Sequence, residues 1–482
     1  MAKKNILRTN ILYNSIYNLL VIAIPLLVSP HLSRAVGVEG VGVYSFSYAV
    51  SLYFRRTALL GVEKHGSRGI AMVRDDPQKR RATFWGAYSI QFFSCLLCTL
   101  AYGLYLSVHV NDHLAALVQL IYITSAFFEV NWYFFGREDF KSVVIFMGLG
   151  KLAYLVATYA FIKTPGDIYL YIAFMGLSHW LPGLIIFVRV LLLEKFFAVH
   201  KDQLVQNLKG MLLLFIPVIA VTVYKSMDKL MIGVICDTSY ENGLYENAEK
   251  ILSVPLAVMT AVSGVMMPRM TKLYHDKQEK SAEAYLDHLS FFGGIVSAGA
   301  AFGMVAISEI FSDVYWGEAF HGCALLLRMF SISIPFMCLA EILRTQYIIP
   351  KKKDKYYIIA VCMGAVVNLI INALLIPRLG AEGAVIGTIV AEAAVCIYQA
   401  VVVRNEIAIK KYALQFVKYL IPGSAMCAIV SALCMNMKHT VVNLLVAVFV
   451  GVIAFSSLVL LQLGLFEKAR LKMLVGAVLK KK

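Results

Sequence analysis

Hydrophobic runs of about 20 residues, each bounded by charges or turn residues, recur from Ile11 almost to the end of the chain. At about 1.5 Å rise per residue, each run is long enough to cross roughly 30 Å of hydrocarbon. Fourteen such segments can be counted, at approximately 11–30, 41–60, 83–106, 114–135, 143–162, 168–188, 210–235, 244–268, 288–308, 322–343, 356–376, 382–403, 413–433 and 441–463. The pattern predicts an all-α integral membrane protein of 14 transmembrane helices with no soluble domain between them. The first run, ILYNSIYNLLVIAIPLLVSP, is too long for a signal-peptide core and has no small-residue cleavage site, so it is read as a retained helix.

Two stretches resemble one another. LSRAVGVEGVGVYSFSYAV leads into the second segment and LMIGVICDTSYENGLYENAEKIL into the eighth. Each is a short turn-rich link that ends in Gly-x-Tyr and passes into a helix. The match predicts two six-helix lobes, 1–203 and 204–405, inserted with the same orientation as a parallel pseudo-repeat about an axis along the membrane normal. Residues 406–482 then hold an appended helix pair and a basic tail. Paired bundles around a cavity suit a transporter, because rocking one lobe against the other exposes a fixed site to each side in turn. Pro25, Pro217 and Pro255 fall inside segments, where they either bend a helix or are accommodated by its neighbours.

Composition agrees: of 482 residues, 60% are hydrophobic and 15% charged, and the mean hydropathy is +0.73. The net charge of +16 raises the question of nucleic acid, and its distribution answers it. Counting Lys418 with the link that precedes it, the two termini and alternate links hold 34 Lys and Arg; the opposite links hold four, Arg34, Lys163, Arg378 and Lys438. Cytoplasmic loops retain basic residues, so both termini are expected in the cytoplasm. The basic runs RDDPQKRR and PKKKDK are explained by topology and by attraction to anionic headgroups, at about 1 kcal/mol per basic residue. No nucleic acid partner is expected. Cys95 and Cys98, one turn apart in SCLLCTL without a nearby His or carboxylate, are read as packing residues, and no metal site is predicted.

Charges inside the segments are the informative residues, since each costs about 2.5–3.5 kcal/mol at a helix centre. The basic ones are Arg55, Arg56, Lys151, Lys225, Lys229, Lys250 and Arg328; among the acids are Glu129, Asp228, Glu249, Glu341 and Glu392. A ladder of cations at several depths suits concentrated negative charge such as a pyrophosphate, which Arg grips as a fork and Lys attracts as a point charge. Arg55, Arg56, Lys225, Lys229, Lys250 and Arg328 are therefore candidate binding residues. The plainer alternative is that Lys229 and Lys250 snorkel while Asp228 and Glu249 neutralise neighbours. Asp228, Glu129, Glu249 and Glu392 are candidates for H+ or Na+ coupling or for charge pairing. Glu392 leads them, being mid-helix with no basic neighbour in sequence, whereas Glu341 lies close to Arg344. No cofactor is expected.

Three stretches together resemble a known family: PLLVSPHLSRAVGVEGVGVYSFSYAVSLYF, MDKLMIGVICDTSYENGLYENAEKIL and NLIINALLIPRLGAEGAVIGTIVAE. They look like the Wzx-type polysaccharide flippases of the multidrug/oligosaccharidyl-lipid/polysaccharide exporter superfamily. The resemblance implies 14 helices as two lobes plus a final pair. It also implies transport of undecaprenyl-pyrophosphate-linked oligosaccharide from the inner to the outer leaflet of the bacterial cytoplasmic membrane, with the lipid bilayer and polysaccharide polymerase machinery as partners. Of the family's cavity cations it carries over an arginine of the second helix and the Asp228–Lys229 pair of the seventh. In such a cycle the headgroup enters through a lateral opening while the prenyl tail stays in lipid, and the last two helices are candidates to shape a groove for the tail. The alternatives are a MATE-like exporter or a lipid II flippase. A cation exporter should favour carboxylates in its cavity, whereas basic residues outnumber acids here. A membrane polymerase or glycosyltransferase needs converging acid, base or metal groups. There is no HExxH, DxD or long external loop, and His65, His113, His179, His275 and His321 form no cluster in sequence.

Overall fold

In hydrocarbon a backbone has no solvent to bond, and a helix pairs its N–H and C=O groups within the segment. The computed structural model, which describes residues 2–108, 112–236, 238–468 and 470–471, is accordingly a succession of helices. The basic tail after residue 471 lies outside the described residues. In chain order the helices are α1 (Ala2–Leu59), α2 (Val62–Val73), α3 (Pro77–Ser107), α4 (His113–Val118), α5 (Leu120–Thr124), α6 (Asn131–Gly136), α7 (Phe140–Phe161), α8 (Ile168–Leu193) and α9 (Lys201–Ile235). They continue with α10 (Tyr240–His275), α11 (Glu279–Tyr315), α12 (Cys323–Ser331), α13 (Ile334–Leu343), α14 (Asp354–Val403), α15 (Ile409–Lys418), α16 (Leu420–Cys434) and α17 (Val441–Phe466).

Among the described residues, 11 helices are long and apolar enough to cross a membrane. The count becomes 12 if α12 and α13 with its extension, bent by 44° at Ile332 and Ser333, form one span. The difference from 14 has a local cause. α1 and α14 each join two of the expected segments through one glycine, Gly37 (φ 73°, ψ −179°) and Gly380 (φ 53°, ψ −129°), where turn-rich links were expected. Only glycine enters positive φ without a Cβ penalty, so the helix kinks at these points with almost no loop.

Three expected segments are not single helices; one of them, 413–433, passes from α15 to α16 at Tyr419. Residues 114–135 become α4, α5, a 3-10 turn at Ser125–Phe128 and α6, with Glu129 and Val130 outside helical geometry. The tenth segment ends in a π-helical turn, Arg344–Ile348. The link after the second segment, expected as a basic loop, contains α2, whose buried positions Val62, Gly66 and Ile70 recur at helical spacing. Gly66 admits the ring of Trp132, which would lie 2.4 Å from an added Cβ. Pro25, Pro217 and Pro255 all lie inside helices.

The chain divides into two compact units, Met1–Glu246 and Asn247–Lys482. The core of the first is aromatic: Phe84 stacks on Tyr88 at 5.6 Å and on Trp132 at 5.5 Å, beside buried Tyr133, Phe134 and Ile186. Cys95 and Cys98 belong to this core, and the Cys95 thiol faces the carbonyl of Ala58 at 3.7 Å. In the second unit α11 packs on α15, α16 and α17, in part through small residues that let backbones approach. Gly423 sits against the ring of Phe302, and Gly294 against the carbonyl of Gln415.

The two basic runs are partly structural rather than wholly headgroup-facing. Arg80 and Arg81 turn to Glu194, whose side chain is fully buried, at 2.5 and 3.5 Å. The Tyr133 hydroxyl donates to the same carboxylate at 2.5 Å. In PKKKDK, Lys351 pairs with Glu279 at 2.8 Å and lies 4.6 Å over the Tyr274 ring, while Lys353 pairs with Glu406.

Candidate functional site

Arg55 lies on the second arm of α1, one turn before that helix ends, and is 4% exposed. Its Nη2 donates to Glu129 Oε2 at 2.7 Å and its Nε to Ser125 Oγ at 3.1 Å. The guanidinium also lies 4.8 Å over the Tyr122 ring. The broken fourth segment makes this possible. At the break, the carbonyls of Ala126 and Glu129 accept from Gln91 Nε2 at 2.7 and 3.2 Å, and Trp132 Nε1 donates to Gln91 Oε1 at 3.2 Å. With its backbone held this way, the Glu129 carboxylate turns to Arg55 and also accepts from Asn131 Nδ2. Such charge-assisted bonds are about twice as strong as neutral ones.

A second cation stands near the first. Lys151 Nζ lies 3.0 Å from His179 Nε2, within electrostatic reach of Arg55 and Glu129, and the His179 ring packs edge-on to Tyr122 at 5.3 Å. Arg56, the next residue along the helix, points elsewhere. It pairs with Glu63 at 3.2 Å, both side chains a third or more exposed.

Lys229 on α9 pairs with Glu246 on α10 at 2.6 Å, and Ser45 donates to the same Glu246 oxygen at 3.0 Å. Its neighbour Asp228, 4% exposed, accepts from the Tyr245 hydroxyl at 2.6 Å. Lys225, one turn earlier, is exposed. Five tyrosines connect the two ion pairs. Tyr122 and Tyr48 approach hydroxyl to hydroxyl at 3.4 Å, Tyr48 stacks on Tyr44 at 5.6 Å, Tyr44 meets Tyr171 edge-on at 5.0 Å, and Tyr154 donates to Tyr171 at 2.6 Å. Tyr44 precedes Ser45, so the strip runs from Glu129 and Arg55 to Glu246 and Lys229 through the interior of one unit.

The second unit holds the remaining candidates. Lys250 reaches Asn247 Oδ1 at 3.5 Å, and Glu249 is half-buried. Arg328 donates to Ser308 Oγ at 2.7 Å and Glu309 Oε1 at 2.5 Å, with both charged side chains about half exposed. Glu341 pairs with Arg344 one turn on. Glu392 is buried in the second arm of α14. In the first arm Asn372 donates to Asn368 at 3.2 Å, and Gly387 passes so close that an added Cβ would stand 1.9 Å from Asn372 Oδ1.

Glu246 and His179 are central to the first unit and were absent from the candidates. Glu246 has two visible signals in the sequence: it is an acid inside the expected segment 244–268, and it follows the Gly-x-Tyr of the second repeat as Ser45 follows that of the first. His179 has none, because Lys151 meets it from another helix. Among the described residues no three His, Cys, Asp or Glu side chains group as metal ligands.

Two hollows accompany these residues. One, of about 400 Å³, lies in the first unit between the second arm of α1, the end of α3, α4, the end of α9 and the start of α10. The other, of about 240 Å³, is an apolar groove of the second unit between α11, α16 and α17, floored by Gly299, Gly303 and Gly451.

Comparison with known proteins bears on these features. Residues 7–274 match the family model described as polysaccharide biosynthesis protein, and residues 152–456 match that of the lipid II flippase MurJ. Two relatives are named as O-antigen transporters. One, from Shigella dysenteriae, is 21% identical over 402 residues, covering 82% of this chain and 98% of its own. The other, from Escherichia coli (strain K12), is 22% identical over 343 residues, covering 69% and 80%. In fold, the chain is similar to the lipid II flippase MurJ in an inward closed conformation, with TM-score 0.77 and 14% identity over 94% of this chain and 99% of that one. It is also similar to an outward-facing multidrug resistance MATE family transporter, with TM-score 0.55 and 14% identity over 83% and 96%. The chain belongs to the polysaccharide biosynthesis protein family, as a Wzx-type polysaccharide flippase.

Proposed function

We propose that this multi-pass membrane protein moves undecaprenyl-pyrophosphate-linked oligosaccharide repeat units from the cytoplasmic to the outer leaflet of a bacterial cytoplasmic membrane, for surface polysaccharide biosynthesis. It is a lipid-linked polysaccharide flippase and not an enzyme, as its family and transporter-named relatives indicate. In our reading the broken helices α1 and α14 count as two spans each, giving 14, and the excess of basic residues on alternate links puts both termini in the cytoplasm. The lobes are 1–203 and 204–405, with 406–482 appended.

The observation that carries the pyrophosphate assignment is the strip from Arg55 to Lys229. Two buried or half-buried cations are each held by a carboxylate, Glu129 or Glu246, inside one unit. A carboxylate on an arginine or lysine occupies the place that a phosphate oxygen would take. The entering headgroup displaces Glu129 and Glu246, and the pyrophosphate takes over Arg55 and Lys229. The displaced carboxylates, now without a counter-charge, gain affinity for a proton. Proton uptake as the cations change partner would couple a gradient to the cycle without any covalent step. Arg56, Lys225, Lys250 and Arg328 supply further positive charge along the route, and Asp228, Glu249 and Glu392 remain coupling candidates. The groove over Gly299, Gly303 and Gly451 suits the prenyl tail, being mostly apolar. Polysaccharide polymerase machinery would receive the product.

The test is deletion of the gene in a strain with no second flippase of this superfamily. Lipid-linked oligosaccharide should accumulate on the cytoplasmic face, surface polymer should disappear, and the wild-type gene should restore both. Unchanged polymer and intermediates would overturn the reading. Lipid II is the second reading, favoured by the MurJ family match and carrying the same pyrophosphate. Rescue of a strain arrested in lipid II export would select it.

A further inference from the structure

The hollow of about 400 Å³ in the first unit contains none of the cations assigned to pyrophosphate. Its size falls in the range of about 300–1,000 Å³ usual for small-molecule sites. Its lining is of a different chemical kind: acceptor oxygens and phenol rings. Asn242 is fully buried there. Its Nδ2 donates to the carbonyl of Lys229 at 2.9 Å, which fixes the amide orientation, and among the described residues its Oδ1 has no hydrogen-bond partner. A buried acceptor left unpaired costs about 1–3 kcal/mol, and a small movement of the side chain would turn it to a donor in the hollow that it lines.

Asp112 adds a carboxylate. One oxygen accepts from Ala115 N at 2.9 Å, capping α4, and the other from the Tyr169 hydroxyl at 3.0 Å. Each oxygen keeps further acceptor capacity, and the residue lines the hollow. Tyr102 and Tyr105 close one wall, with ring centroids 5.4 Å apart. Tyr102 spends its hydroxyl on the carbonyl of Ala116 at 2.8 Å. Acceptors opposite aromatic faces complement a ligand with several hydroxyl donors and an apolar C–H face, which describes a sugar ring and not a phosphate.

We propose that this hollow is a glycan subsite, lined by Asn242, Asp112 and Tyr105, that binds a sugar of the lipid-linked headgroup separately from its pyrophosphate. This rests on the flippase reading above, and with the proposed topology the subsite lies at the outer end of the unit. It would make the chain selective for its repeat unit while the cations remain indifferent to it.

The test uses the purified full chain and two probes, undecaprenyl pyrophosphate and the native lipid-linked oligosaccharide extracted from a flippase-deleted strain. Wild type should bind the glycan-bearing lipid more tightly than the bare one. Asn242→Leu and Tyr105→Ala should each weaken the glycan-bearing lipid by about tenfold, the loss of roughly one buried contact, and leave the bare lipid unchanged. Tyr105→Phe should retain wild-type binding of both. Equal loss for both lipids, or no loss for either, overturns the subsite. If Asp112→Asn instead abolishes binding of sodium or tetraphenylphosphonium and leaves the glycan-bearing lipid unaffected, the hollow is a cation site and the proposal fails. Failure of wild type to bind either lipid would count against the flippase reading itself.

Discussion

Gly42 rests against the carbonyl oxygen of Ser239 so closely that a Cβ on the glycine would stand 1.8 Å from that oxygen. The contact is reciprocal: a Cβ on Gly243 would stand 2.1 Å from the carbonyl oxygen of Val38. Val38 and Ser239, Gly42 and Gly243, and the bonded pair Ser45 and Glu246 are all 201 positions apart. The two Gly-x-Tyr stretches thus pack on one another as equivalent elements about a local two-fold, with glycine where the backbones cross.

That crossing has no room for a side chain. Gly42→Val or Gly243→Val should push the second arm of α1 away from α10 and cut restoration of surface polymer in a deletion strain by tenfold or more. Immunoblotting of membranes separates this from loss of the protein. A variant that restores full polymer would show that the close approach is dispensable.

Arg55 and Glu129 should behave as a unit. Removing one partner of a buried pair costs about 3–5 kcal/mol, because the other charge is left uncompensated. Arg55→Gln should therefore lower thermal stability in detergent sharply, and Arg55→Gln combined with Glu129→Gln should recover most of it. Flipping should stay lost in the double variant, since the cation assigned to pyrophosphate is gone.

Asp228 should be sensitive to shape more than to charge. Asp228→Asn keeps an acceptor for the Tyr245 hydroxyl and should cost about 1 kcal/mol or less, whereas Asp228→Ala strands that buried hydroxyl and should cost about 1–3 kcal/mol. Urea or thermal unfolding of the two variants side by side measures the difference. Equal costs would mean that the negative charge itself is required.

Glu406, in the link after α14, is held below the usual carboxyl range by its bonds to Lys353 and then to the Tyr347 hydroxyl. A carboxyl with a depressed folded pKa adds stability above its unfolded value of about 4.3 and loses it as pH falls through the folded value. The side chain is 39% exposed, so solvent screening limits the gain to about 0.5 kcal/mol. Glu406→Gln should melt slightly below wild type at pH 7, and the gap should close below about pH 4.

The topology can be read with single cysteines in a chain cleared of its native ones. Lys163→Cys and Lys438→Cys should react with an impermeant maleimide in intact cells whose outer membrane has been permeabilised. Lys79→Cys and Lys352→Cys should react only after lysis. The opposite pattern would invert the assigned orientation.

Membrane insertion, the approximate place of nearly every span and the basic bias of alternate links were all legible in the chain, because lipid selects on composition over about 20 residues at a time. The breaks were less legible. Gly37 and Gly380 kink the helix at one residue, so hydropathy shows two segments where the helix is formally continuous. Glu129 was visible as an acid inside a span. That it stands at a helix break, its backbone tied by Gln91, depends on a side chain from another helix.

Sequence alone settled that Arg55 and Lys229 would need partners, since an unpaired charge in hydrocarbon is too costly to leave. It did not settle which. Arg55 finds Glu129 across 74 positions, and Lys229 takes Glu246, an acid of the eighth expected segment that was not among the candidates. Both pairs depend on how helices cross. Crossing is decided by glycines, broken turns and facing side chains brought together only when the chain packs, and periodicity along one segment holds no record of them.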